Sequence, residues 1–203
     1  ASWSLPLGAL RAADRFLKSD PPGKREIRRL EAYAARALAR AGIPELQEDE
    51  ALLGTGGTIR NLGKVDTRLR GYPIARLHGY VLTAGRARAL NALLCERRAS
   101  ARAQMPGLND ARADSIAAGG VLAGAVMAHV GAPRLHVTGL GLREGLILEA
   151  LGLELPRPFA VRVSAVGALV SRFASWERAR ARRRQQLAAQ LCDALLPGAG
   201  QLQ

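Results

Sequence analysis

The residues best suited to chemistry lie in Gly54-Thr-Gly-Gly-Thr58, with Arg60 two positions further on. Glycines let the backbone adopt positive φ and come close to a ligand. The apolar run Ala51, Leu52, Leu53 reads as the end of a buried strand, and Ile59 onward returns to helical spacing. A strand, a glycine turn and a helix start together present unpaired N–H groups and a positive dipole end, which suit a phosphate. Thr55 and Thr58 add hydroxyl donors. The segment lacks the third glycine of the dinucleotide fingerprint and the Gly-Lys-Ser/Thr of a P-loop. On these residues alone two readings stay open: a phosphate-binding turn, and a glycine turn with no ligand.

Other chemistries find less support. His78 has no acidic or nucleophilic neighbour in sequence and reads as a histidine hydrogen-bonded in a turn. Asp49/Glu50 and Asp110/Asp114 read as loop and cap residues rather than a paired acid and base. Cys95 and Cys192 are isolated, which argues against a zinc site or a disulfide and for a reducing cytoplasm. The longest uncharged run, residues 115–133, is too weakly hydrophobic for a membrane span and reads as a buried helix.

The formal net charge of +13 points to a polyanionic partner: nucleic acid, polyphosphate, a nucleotide or an anionic surface. Lysine occurs only at Lys18, Lys24 and Lys64, so almost all of the 30 basic residues are arginine. The arginine fork matches phosphate oxygens bidentately. With 48% hydrophobic residues but only 4% aromatics, the core must be built from Leu, Val, Ile and Ala. A chain of 203 residues suits one domain plus an appendage. It begins at Ala1 without an initiator Met or a signal pattern, and so reads as part of a longer protein.

The elements that must position these residues follow an α/β pattern. Residues 2–8 read as the tail of a strand, and residues 9–17 as a short helix. Ser19 or Asp20 should cap a second helix with proline in its first turn, carrying the stripe Ile27, Leu30, Ala34, Leu38 and Ala41 to Gly42. Its other face holds Lys24, Arg25, Arg28, Arg29, Arg36 and Arg40, read chiefly as solvated. After the glycine turn comes a short helix over 59–65, then an extended stretch over 72–82 broken by Gly79. Thr83 should cap a helix with Leu90, Leu93, Leu94 and Arg97 on one face. Asn109-Asp110 caps a long apolar helix begun by Arg112 and Asp114, in which Gly120 and Gly124 allow close packing. Residues 135–138 form a strand, and Gly139 to Gly145 turn into a helix ending near Leu151. Leu155-Pro-Arg-Pro158 reads as a linker to helices over 164–173 and 176–195. The last of these carries Arg178, Arg180 and Arg182 to Arg184 opposite Leu187, Leu191 and Leu195.

The order of short motifs is more specific than any one of them. Gly54-Thr-Gly-Gly-Thr-Ile-Arg-Asn-Leu62, Tyr72-Pro-Ile, Leu77-His-Gly-Tyr80, Pro106-Gly-Leu with Arg112-Ala-Asp114, and Gly141-Leu-Arg-Glu-Gly145 resemble the exopolyphosphatase/guanosine pentaphosphate phosphohydrolase (Ppx/GppA) family. Ser4-Leu-Pro-Leu-Gly8 and Phe16-Leu-Lys-Ser-Asp-Pro-Pro22 fit it too, so the resemblance covers residues 1–152. It implies the second ribonuclease-H-like domain of the sugar kinase/heat-shock ATPase/actin superfamily, a mixed sheet flanked by helices. It also implies Mg²⁺-dependent hydrolysis of the terminal phosphoanhydride of inorganic polyphosphate or guanosine pentaphosphate. The phosphate-binding residues it implies are Gly54, Thr55, Gly56, Gly57, Thr58, Arg60 and Arg112, with no metal ligand in this chain.

The family's first phosphate loop and its catalytic and metal-binding carboxylates belong to an N-terminal domain that this sequence does not contain. The expected activity therefore needs that domain, and the fragment alone is expected to be inactive. Residues 153–203 resemble the opening of a degenerate histidine-aspartate domain, with Arg180 where its first histidine would stand. Expected partners are polyphosphate or guanosine pentaphosphate, the absent domain, and a second copy of the chain through the leucine-faced tail. Nucleic acid is disfavoured, because the arginine helix has no interleaved aromatics. No membrane partner is expected. The alternative function is a non-catalytic module that binds polyphosphate or nucleotides.

Overall fold

The computed structural model describes residues 2–72, 77–152, 163, 166–167 and 178–195. The expected linker at 155–158, the expected helix over 164–173 apart from residues 166–167, and part of the Tyr72-Pro-Ile motif lie outside the described residues. The chain divides into two compact units, Ala1–Gly152 and Leu153–Gln203.

In the first unit, α1 (Ala9–Phe16) and α2 (Lys24–Arg40) precede β1 (Leu52–Gly54) and α3 (Gly57–Leu69). Then come β2 (Tyr80–Thr83), α4 (Ala84–Glu96), α5 (Ala99–Ala103), a single 3₁₀ turn (Asp110–Arg112), α6 (Ile116–His129), β3 (Arg134–Val137) and α7 (Leu142–Ala150). In the second unit, α8 spans Arg178–Leu195 with Leu187 and Leu191 exposed.

The sheet has three strands in the order β1-β3-β2. Strand β1 runs parallel to β3, with Leu52 opposite Leu135 and Gly54 opposite Val137. Strand β2 runs antiparallel to β3, with Tyr80 opposite Val137. It is a small mixed sheet flanked by helices.

Helix α6 is the common wall of the unit, packed against α1, α2, α3 and α4. It has no polar stripe, because Ile116, Ala117, Ala118, Val121, Leu122 and Met127 are all buried. One cluster joins Leu30 and Ala34 of α2, Leu62 and Val65 of α3, and Leu90 and Leu94 of α4 to α6. A second lies under the sheet, around Leu82, Leu135, Val137 and Met127. Ile59 packs against both, so the first turn of α3 is held where the two cores meet.

Several elements differ from the sequence reading. Residues 2–8 form no strand, and Leu7 packs on the helical core instead. Helix α2 starts at Lys24 rather than on the prolines, with Gly23 as its cap. There the Glu26 carboxylate accepts the N–H groups of Gly23 and Lys18, each at 2.9 Å. Leu53 is 71% exposed, so β1 is buried on one face only. Helix α3 is longer than expected, and α6 begins at Ile116, after the 3₁₀ turn that holds Arg112. In α6 the glycines in close contact are Gly119 and Gly120, against Thr58 and Asn91, whereas the space beside Gly124 is open.

Candidate phosphate-binding site

The glycine loop leaves the end of β1 beside the loop that leaves β3. Because these two strands are parallel, both loops open at the same sheet edge, where α/β folds place ligands. Pairing continues one residue past the strands, as the Thr138 N–H donates to the Gly54 carbonyl at 2.9 Å. Gly56 has φ 93° and ψ 172°, a conformation open essentially to glycine alone. It swings the chain into α3, whose first turn has no side-chain cap. The N–H groups at that end are thus left for a ligand.

Arg112 comes to the same place from a distant part of the chain. A Cβ added to Gly57 would lie 2.7 Å from Arg112 Nη2 and 3.1 Å from its guanidinium carbon. Position 57 must therefore be glycine for the guanidinium to lie against the loop backbone. The pair forms a cradle of backbone donors and a planar cation, suited to phosphate oxygens.

Asn61, which sequence reasoning did not single out, holds the two parts in register. It is 8% exposed, and its amide nitrogen donates to the Gly57 carbonyl at 2.7 Å. Its Oδ1 accepts the Asn109 N–H at 2.8 Å. Asn109 in turn caps the Arg112 turn by accepting the Ala111 N–H at 3.0 Å. The available signal was an asparagine one helical turn beyond Gly57, the third loop glycine.

Thr55 and Arg60 face the neighbouring loop. The Thr55 hydroxyl donates to the Leu140 carbonyl at 2.9 Å, and Arg60 Nη1 to the Gly139 carbonyl at 3.4 Å. Thr58 turns toward α6, in contact with Gly119. His78 sits in a turn, its Nδ1 3.2 Å from Thr138 Oγ1. Glu144 accepts the Gly141 N–H at 2.8 Å, and these main-chain contacts hold its carboxyl below the usual carboxylate range. The structure thus brings Gly57 and Arg112 together, and sets Thr55 and Arg60 against the second loop.

Mg²⁺ prefers carboxylate and water oxygens. Among the described residues no group of three or more His, Cys, Asp or Glu side chains could hold a metal ion. The groups lining the loop are N–H donors, hydroxyls and guanidiniums, so this half of the site does not by itself fit the ion. Asp66 is buried at 3% exposure on α3 but is used in packing, where it accepts from the Tyr80 hydroxyl and from Arg86. Burial opposes its ionisation, yet the hydrogen bonds from Arg86 and Tyr80 win and hold it below the usual range.

The helix-flanked mixed sheet defines a domain of the actin-like ATPase fold, the architecture of its structural neighbours. The chain belongs to the Ppx/GppA phosphatase family, whose model matches residues 1–154. Exopolyphosphatase 1 of Mycobacterium leprae is 31% identical over 163 residues, covering 79% of this chain and 48% of that protein. Exopolyphosphatase 1 of Mycobacterium tuberculosis is 31% identical over 165 residues, with 80% and 48% covered. The type II variant of the Aquifex aeolicus Ppx/GppA phosphatase superposes with a TM-score of 0.65 at 28% identity, over 72% of this chain and 48% of that one. The chain spans about half the length of the curated relatives it matches.

Proposed function

We propose that residues 1–152 are the second α/β domain of a hydrolase that releases terminal phosphate from inorganic polyphosphate, from guanosine pentaphosphate, or from both. Residues 54–58, Arg60 and Arg112 hold the phosphate chain, and residues 153–203 form a helical extension. The observation that carries this reading is the Arg112 guanidinium lying against Gly57 at an uncapped helix start. Family membership supports the reaction class. Phosphoryl transfer depends chiefly on positioning and charge stabilisation. This half contributes both through backbone amides and arginine. An opposing domain supplies the carboxylates for Mg²⁺ and water, and the protein works in the cytoplasm.

The test compares phosphate release from polyphosphate with Mg²⁺ by the 203-residue chain and by the same chain preceded by its upstream domain. Release is expected only from the longer protein. Turnover by the shorter chain at a comparable rate, or none by the longer one, would sink the proposal.

The donor-only lining of the loop favours a second reading, a regulatory module that binds polyphosphate without cutting it. Salt-sensitive binding with no release by the longer protein would select that reading.

A further inference from the structure

Helices α1 and α2 carry a basic surface that the glycine loop does not use. Arg15, Arg28, Arg29 and Arg36, with Phe16 and Tyr33, line a groove of about 420 Å³. All four arginines are exposed. Among the described residues, none of their guanidiniums lies within ion-pair distance of a carboxylate. Four exposed cations lining one groove repel one another, a repulsion that water and salt screen in part and that a bound anion relieves further.

The groove is also ordered. The Phe16 and Tyr33 rings pack with centroids 4.9 Å apart. The Arg15 guanidinium sits over both, 5.2 Å from the Phe16 centroid and 5.0 Å from that of Tyr33. Stacking engages the flat face of the guanidinium and leaves its N–H edge for oxygen acceptors.

We propose that Arg15, Arg28, Arg29 and Arg36 form a second anion-binding groove, which holds an internal stretch of a linear phosphate polymer. The choice of polymer rests on the proposed function, whereas the groove rests on its own geometry. Arg28 and Arg36 stand eight residues apart on one helix, about 12 Å along the axis. One orthophosphate cannot bridge that run, and a chain can. A single-stranded nucleic acid would need free aromatic faces for its bases. Here the two rings are spent on each other and on Arg15.

The test is binding of long-chain inorganic polyphosphate to the 203-residue chain, compared with a variant carrying Arg28→Gln, Arg29→Gln and Arg36→Gln. A control with equal charge loss elsewhere carries Arg88→Gln, Arg97→Gln and Arg98→Gln. The groove variant is expected to bind about tenfold more weakly or worse, with a shallower salt dependence, and the control to change by about twofold or less. Arg15→Lys, which keeps the charge but loses the planar stack, is expected to fall between them. Equal losses in groove variant and control, or no loss in the groove variant, overturn the groove. Tighter binding of a single-stranded RNA with the same number of phosphates, lost in the groove variant, overturns the choice of ligand. A groove that binds while the longer protein releases no phosphate supports this inference and defeats only the hydrolase reading.

Discussion

The side-chain amide of Asn61 and the main chain of Asn109 are joined by a 2.8 Å hydrogen bond across 48 residues of sequence. The same side chain donates 2.7 Å to Gly57. One buried amide therefore ties the glycine loop to the turn that carries Arg112. Asn61→Leu is expected to lower stability by about 1–3 kcal/mol, because two backbone groups lose their partner. Asn61→Asp keeps the acceptor for Asn109 and loses the donor to Gly57. It should cost at least as much stability as Asn61→Leu, because a buried carboxylate then opposes the Gly57 carbonyl. It should also bind polyphosphate less well, because negative charge is added beside the loop. Denaturant midpoints and binding isotherms separate the two effects.

Two neighbouring glycines should fail in different ways. Gly57→Ala places a methyl 2.7 Å from the end of the Arg112 side chain, which is long enough to swing away. Stability should change little while polyphosphate affinity falls about tenfold, the worth of a charged contact. Gly56→Ala meets open space but sits at φ 93°. It should cost about 1–3 kcal/mol of stability, the range for such backbone strain. If both variants lose only stability, the guanidinium does not work at the loop.

Glu26 sets an acid limb for folding. Its carboxyl is lowered from 4.5 to about 2, chiefly by the Ser19 hydroxyl, with burial opposing and the N–H groups of Gly23, Lys18 and Ser19 assisting. A depressed folded pKa gives stability that is present above the unfolded value and lost as pH falls through the folded one. The contribution of Glu26 should thus be complete above pH 4.5 and disappear toward about pH 2. Glu26→Gln should flatten that part of the stability profile, with Asp66 and Glu144, whose carboxyls are also lowered, contributing to the remaining slope. A profile unchanged by Glu26→Gln would count against this assignment.

The Asp66 cluster should behave as a unit. Arg86 Nε donates to Asp66 at 2.9 Å, and the Tyr80 hydroxyl donates to the same carboxylate oxygen. Asp66→Asn should cost about 1–3 kcal/mol and Tyr80→Phe about 1 kcal/mol. The double variant should cost less than the sum, because contacting residues are not additive. Thermal or urea unfolding of the three variants measures the coupling.

What could be read from the sequence was local. Gly54 to Thr58 show their turn because glycine spacing and the return of helical periodicity are written in adjacent residues. The same holds for Thr83, which caps α4 by accepting the Arg86 N–H. Residues 2–8, read as the tail of a strand leading into a turn, misled, since a short stretch of chain does not record whether a strand partner exists beside it. Arg102 was equally invisible. It is 3% exposed and satisfied by the carbonyls of Ala113, Leu94 and Arg97 at 2.7, 3.2 and 2.6 Å. Those acceptors are main-chain atoms, which no residue type advertises. In the site, Arg112 was legible through a motif order, whereas the role of Asn61 depends on a contact made only after folding.

The near-complete burial of the first two turns of α6 has a consequence in time as well as in space. A helix with Ile116, Ala117, Ala118 and Val121 nearly inaccessible can expose its amides only when four neighbouring helices part together. Its hydrogens should therefore be the last in the domain to exchange with solvent, at the free energy of global unfolding. Helix α7, with no buried residue, should exchange early. The protein would then keep a nearly permanent spine while the edge where Leu140 meets Thr55 opens and closes many times.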